Sequence, residues 1–469
     1  MRLLVARAAA TLFLMTASSW ITLGQEPPSS PISYTKQIRP IFQEHCQGCH
    51  QPAKAEGGYV ITKVDALLKG GESGETAVTP GDLTKSYLLA QITAKDGAAE
   101  MPKGKPPLAT AQIELIKTWI AQGAKDDSPA SDKLMFDADH PPTYIAPQVI
   151  TSLDYSPDGA LLAISGYHEV LLFSADGSQR IARLIGQSER IEAVKFSPDS
   201  KLLVIAGGSP ARLGELQVWD VSQKKLKYSL NVGYDTLYGA NFSPDGKLIS
   251  FGCPDNTVRA VEAETGKQVL FSGAHNDWVR DTVFSSKGDY LISVSRDRSM
   301  KLLEVATQRF VDNITSITPG ALKGGLESVD RHPQKDELLC GGADGTPKIY
   351  QMIRTKARVI GDDFNLIRAF PAMPGRLNTV AFDKSGDRII AGSSLDGKGE
   401  VRIYKTADAQ QLVKVEVPEG GIFAAAFAPA GDVAAIGGFD GMVRLISTSD
   451  GKLVKAFTPV EISPNSAKQ

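Results

Sequence analysis

Histidine and cysteine are scarce in this chain of 469 residues, which holds six of the first and four of the second. So few imidazoles leave nothing from which to build a multi-histidine copper cluster. Cationic excess is missing too. Lys and Arg number 51 against 53 Asp and Glu, a formal net charge of −2, and a nucleic-acid partner has no support. No G-x-S-x-G elbow, P-loop or paired-acid motif stands in a sensible context, so no familiar catalytic constellation is legible. Beyond the first 24 residues there is no long uncharged apolar run, and no transmembrane anchor is expected once that segment is removed. What remains is ordinary globular composition, 42% hydrophobic and 22% charged, in a chain long enough for two or three domains.

The most informative stretch is Cys46-Gln47-Gly48-Cys49-His50. C-x-x-C-H is a haem-attachment motif, in which two thiols a helical turn apart add to the haem vinyl groups and the adjacent imidazole becomes the proximal iron ligand. Zinc would need a second Cys/His pair at ligand spacing, and none follows. The remaining Cys253 and Cys340 lie in apolar strand-like contexts far apart, so both are expected as buried thiols rather than a bridge. Arg2 and Arg7, the apolar run Ala8 to Leu23 and the small residues before Gln25 form a secretory signal over 1–24. The competing reading is a retained anchor, although the run is near the short limit for spanning a bilayer. Export and haem c maturation outside the cytoplasm support one another, and a periplasmic or otherwise exported protein is expected.

After a linker at 25–33, residues 34–127 are predicted to form a small helical domain. Ile38, Ile41, Phe42 and His45 recur at helical spacing up to the motif. In TAQIELIKTWIAQGA, Ile113, Ile116, Trp119 and Ile120 share a face, with Thr110 as N-cap and Gly123 as stop. Between them, LKGGESGETAVTPGD is expected as loop. Met101, in AEMPKGKPPL, is the candidate sixth ligand, since it has enough chain after His50 to reach the opposite haem face. His45 is the rival, but it precedes Cys46 on the proximal side. The segments IRPIFQEHCQGCH, LLKGGESG, PGDLTKSYLLAQI, EMPKGKPPL and IELIKTWIAQGA resemble the planctomycete-type cytochrome c domain. The resemblance implies one covalent haem c, with Cys46 and Cys49 as thioether anchors, His50 proximal and Met101 distal. Lys103 stands where a second proline is expected, a difference that bears on loop rigidity more than on ligation.

Beyond a linker at 128–144 the chain repeats itself. DYSPDG, KFSPDS, NFSPDG, VFSSKG, DRHPQK, AFDKSG and AFAPAG recur at the period of a four-stranded unit, each between short apolar strands. Seven such units predict a closed seven-bladed β-propeller over 145–460, followed by a disordered tail at 461–469. The fold class expected is therefore multidomain: a small all-α, class I-like cytochrome c domain, then an all-β propeller. Asp297, Asp344 and Asp440 fall in turns where an Asp side chain can hold its own backbone. With Trp219-Asp220 closing a third strand and His275 placed as a structural histidine, the region is similar to the WD-repeat family, with degenerate signatures.

The expectation for function is one-electron transfer through a His50/Met101 haem, with the propeller as an interaction platform for a redox partner protein or an exported enzyme complex. An oxidoreductase with a substrate site in the propeller is the first alternative. Only His168, His275 and His332 lie there, dispersed over three units, and His168 reads as an ordinary turn residue. A haem-based sensor is the second alternative, and an open sixth site would mark it.

Overall fold

The computed structural model describes residues 31–463 except 48, 52–53, 63, 96, 128–135, 317–322, 358 and 360–362. The expected signal segment 1–24 and residues 464–469 of the expected tail lie outside it. The chain divides into two compact units, Met1–Pro129 and Ala130–Gln469.

The first unit is helical. Ser33 accepts a hydrogen bond from Lys36 N–H and opens a wide turn at Tyr34–Ile38, which runs into α1, Arg39–His45. Two short helices follow, α2 at Val64–Lys69 and α3 at Tyr87–Ile92, and then α4 at Thr110–Ala121. The cap of α4 is Ala109 rather than Thr110. Its N–H is held by the Gln112 side chain at 3.1 Å, so the reach-back amide does the capping that a hydroxyl was expected to do. Gly123 and Ala124 then take positive φ and stop the helix. Ile38, Phe42, Leu67, Ile116, Trp119 and Ile120 are buried in one cluster, each contributing about 1.5–3 kcal/mol relative to exposure.

The second unit is almost entirely β, in six antiparallel sheets. Five have four strands in sequence order, beginning at Tyr238, Val279, Leu326, Arg376 and Ile422. The sixth has seven strands because the 17-residue strand Arg180–Phe196 serves two repeats, pairing with Tyr167–Ser174 at one end and Leu202–Ser209 at the other. Seven four-stranded repeats therefore follow one another. Their second strands, such as Leu161–Ser165 and Tyr290–Ser295, are buried on both faces and read as continuous apolar runs. Fourth strands such as Gln411–Val417 are half exposed.

Local chemistry explains the recurrent turns. In the first three repeats Ser156, Ser197 and Ser243 donate to Asp158, Asp199 and Asp245, whose carboxylates accept N–H groups of the next strand. Asp255, Asp297, Asp344 and Asp440 each accept the N–H two residues on. The intervening Asn256, Arg298, Gly345 and Gly441 take left-handed φ.

Neighbouring repeats touch turn to turn. Gly246 lies against Pro198 and Gly288 against Pro244, and the same relation joins the first repeat to the last, Gly159 against Pro429. Between those two repeats Ile150 N–H also donates to Gly438 O, and one hydrophobic cluster combines Leu153, Leu162 and Phe173 with Ala424, Ala435 and Leu445.

The expected limits of linker and tail need correction. Tyr144 is buried and bridges Ile462, Ser463 N–H donates to Tyr144 O, and Phe136 packs against Tyr167 and His168. Phe136 packs on the first repeat, and the backbone at 144 and 462–463 pairs only when the two ends of the repeat region meet, which local sequence does not display.

Candidate functional site

The C-x-x-C-H segment sits where α1 ends. Cys46 N–H still donates to Phe42 O at 2.9 Å, and Cys49 and His50 N–H both donate to Cys46 O at 3.1 Å. The chain therefore completes one more helical turn, and the two cysteines fall one turn apart. His50 then enters a two-residue hairpin with Lys54–Ala55, and its carbonyl accepts Ile61 N–H, so its backbone is tied on both sides. Tyr59 stands beside it with ring centroids 5.5 Å apart, and its hydroxyl donates to Leu67 O at the end of α2. Nothing in the sequence marked Tyr59, because only the hairpin brings it to the imidazole.

Met101 follows α3, held by its N–H to Gln91 O at 2.9 Å, and packs with Cys46 against the same hydrophobic cluster. Burial pushes the Cys46 thiol up to about 11, with the adjacent Cys49 adding to the effect. The Lys105 ammonium, on the Met101 loop, opposes it. The loop thus lies near the motif. His45 points elsewhere, to the Gln112 amide on α4 at 3.2 Å and to Glu44 at 3.5 Å.

These residues fit a covalent haem in their chemistry. His50 is half-buried, and its Nδ1 is withdrawn from water without a hydrogen-bond partner. Cys46 and Met101 border one apolar surface, as an apolar macrocycle requires. Among the described residues no three His, Cys, Asp or Glu side chains converge closely enough to hold a bare metal ion. Cys49, His50 and Cys46 are therefore not drawn together as ion ligands, whereas thioether anchors attach to a ring edge and only the imidazole reaches the iron.

Within the repeats the three histidines stay apart. His275 is buried, with Nδ1 2.9 Å from Asp297 Oδ2 and Nε2 2.8 Å from Ser293 Oγ. His332 accepts Gln334 N–H and packs edge-on to Phe382. His168 is buried at a left-handed φ of 61° against Phe136 and Tyr167. His275 is held within its own repeat, whereas His332 packs on the next one and His168 on the strap before the first.

A cavity of about 340 Å³ is lined by the first strand of every repeat. Its charged lining was missed in the sequence because alternate residues of seven distant strands supply it. One charged group joins Arg190, Glu192, Arg280, Glu327 and Arg376, and another joins Lys195, Asp281 and Asp330. Asp281 accepts Val329 N–H and Asp330 accepts Phe382 N–H, each from the next repeat. Burial pushes the Asp281 carboxyl up to about 6.

Each of the two parts has a separate counterpart among known families. The family described as Planctomycete cytochrome C matches residues 46–104, and the family described as WD domain, G-beta repeat matches residues 266–303, which include His275 and Asp297. Among curated proteins the chain is similar to Eukaryotic translation initiation factor 3 subunit I of Aspergillus terreus. The two are 27% identical over 284 residues, 54% of this chain and 78% of that protein. The protein of the same name from Coccidioides immitis is 25% identical over 278 residues, with the same coverage of 54% and 78%. WD repeat-containing protein 26 homolog of Arabidopsis thaliana is 23% identical over 286 residues, 54% of this chain and 48% of that protein. The β-rich part is thus a WD-like repeat fold. No helix among the described residues is long and apolar enough to cross a membrane.

Proposed function

We propose that the helical unit carries one covalent haem c for one-electron transfer, and that the repeat unit is a closed seven-bladed propeller acting as a protein-interaction platform. The observation that carries the first half is the C-x-x-C-H turn at the end of α1, inside a segment matching Planctomycete cytochrome C. Cys46 and Cys49 would hold the haem by thioethers, and His50 and Met101 would ligate its iron. The haem supplies reversible one-electron chemistry, and axial Met raises its potential relative to a second imidazole. The chain's own part is to orient and to exclude water. The hairpin and Tyr59 fix the His50 ring, Gln91 O fixes the Met101 backbone, and the cluster around Ile116 and Trp119 keeps the site apolar.

Ring closure is supported by the Gly159–Pro429 contact, the Ile150–Gly438 hydrogen bond and the cavity lined by all seven first strands. A platform role is supported by the similarity to WD-repeat proteins over 54% of the chain. The domain limits 34–127 and 145–460, with the packed strap from 136 added to the second, accompany this reading. An exported, periplasmic setting follows from the haem motif and the apolar N-terminal run, and a redox protein in that compartment is the expected partner.

Absorption spectra of the exported full chain and of Met101→Ala test the site. A ferric thioether–iron charge-transfer band present in wild type and lost in the variant is expected. Covalent haem lacking that band in wild type would move sensing or catalysis ahead of electron transfer. No covalent haem would end the proposal.

A further inference from the structure

The repeat unit's cavity carries an ordered set of guanidinium groups. Arg280 lies over the Tyr238 ring at 4.1 Å, Tyr238 stacks on Trp278 at 5.7 Å and 20°, and Arg296 lies over Trp278 at 4.6 Å. This four-membered ladder spans the third and fourth repeats. Arg190 and Arg376 flank it on the cavity lining.

Their counter-charges are recessed. Glu327 bridges Arg280 at 2.7 Å and Arg376 at 2.9 Å with a side chain only 8% exposed. Glu192 sits 3.4 Å from Arg190 and is 13% exposed. Arg190 is 57%, Arg376 55% and Arg296 46% exposed, whereas Arg280, bridged to Glu327, is 24% exposed. Asp277, 38% exposed, lies 3.8 Å from Arg296, and Asp235 is a second carboxylate near Tyr238. Recessed carboxylates hold the guanidinium groups in place while outer N–H groups face solvent. A planar fork held against aromatic faces loses little further freedom when a carboxylate arrives. Arginine and aromatic residues at a concave centre also make the usual anchors of protein interfaces.

Resting on the platform reading above, we propose that this cavity mouth is the docking face for an acidic segment of a partner protein, whose Asp or Glu carboxylates are taken by Arg190, Arg280 and Arg376 beside the Tyr238–Trp278 stack. Charge complementarity selects that occupant. A basic segment would meet guanidinium groups first, and an apolar one would leave them unpaired.

The test uses the full exported chain and a fluorescent oligoglutamate peptide, with oligolysine as control, at about 50 and about 300 mM salt. Oligoglutamate should bind, weaken about tenfold across that range, and weaken about tenfold again in Arg190→Gln/Arg376→Gln. Arg280→Met/Glu327→Gln removes the bridged pair together, so no unpaired buried charge remains, and should weaken binding similarly. Equal binding of oligolysine, no binding of oligoglutamate, or indifference to both double variants in proteins whose melting curves match wild type would overturn the proposal. Chemical cross-linking in the exported compartment separates the two readings. A partner retained by the arginine variants would sink this face but leave the platform standing. No partner cross-linked to wild type would sink the platform.

Discussion

Glu169 offers the sharpest test of how the strap before the first repeat is held. Its side chain is wholly withdrawn from solvent, and its carboxylate is gripped by Arg183 in a bidentate pair, Nε to Oε2 at 2.5 Å and Nη2 to Oε1 at 2.6 Å. Tyr144 donates its hydroxyl to the same Oε1, and Arg183 also donates to Pro142 O. Tyr144 is in turn the residue that bridges Ile462 and Ser463 at the far end of the chain. One buried carboxylate therefore fixes to the first repeat the strap whose backbone meets the segment after the last.

Removing its cation isolates a charge in an apolar site. Arg183→Met should cost about 3–5 kcal/mol, the range for a buried ion pair broken on one side. Tyr144→Phe removes one hydrogen bond to a charged group and should cost about 1.5–3 kcal/mol. The double variant Arg183→Met/Glu169→Leu removes charge and counter-charge together and should regain most of the loss. Urea unfolding of the full chain, followed by fluorescence, gives the three differences. Limited proteolysis should cut Arg183→Met first near 130–150 and near 460. An Arg183→Met cost below about 1 kcal/mol, or a double variant no better than the single, would refute the reasoning.

Three further outcomes are expected. Burial opposes ionisation of Asp297, but the His275 hydrogen bond and charge, with Ser299 and Asn276, outweigh it and hold its carboxyl well below the usual range. Its stabilisation is present above the unfolded carboxylate value and is lost as pH falls through the depressed one, so wild type but not Asp297→Asn should lose stability steeply below about pH 4. Burial pushes the Cys253 and Cys340 thiols up to about 12. In haem-free protein the partly exposed Cys49 and then Cys46, slowed by its raised thiol pKa, should react with an aromatic disulfide reagent ahead of Cys253 and Cys340, and all four only after unfolding. Rapid labelling of Cys253 or Cys340 in folded protein would contradict their burial. Ile116→Ala leaves a hole at a fully buried position of α4 and should cost about 2–5 kcal/mol in thermal melts of the helical unit; under about 1 kcal/mol would show the cluster is not a packed core.

Much of this architecture was legible from one-dimensional patterns. Ile38, Ile41 and Phe42, and then Ile113, Ile116, Trp119 and Ile120, lie on buried helix faces as their spacing indicates. The Ser-Pro-Asp turns and the Asp297, Asp344 and Asp440 turns hold the expected N–H groups, because those contacts span two to five residues. The short helices α2 and α3 were not foreseen, since six residues show too little periodicity to register. The double duty of Arg180–Phe196 was missed as well, because one long strand looks like two until its partners are known.

By itself, then, the sequence determined the elements whose causes are local: the C-x-x-C-H turn, the amphipathic helices, the seven repeats and their turn chemistry. Only the tertiary structure decided the rest. It placed Tyr59 beside His50 and brought the Lys105 loop near Cys46. It also tied Tyr144 through Glu169 and Arg183 to the first repeat and collected Arg190, Arg280 and Arg376 at one mouth. Apart from the His50–Tyr59 and Glu169–Arg183 contacts, these join residues tens to hundreds of positions apart. They form only when loop closure has already brought the hydrophobic faces together, so no window of sequence contains their cause.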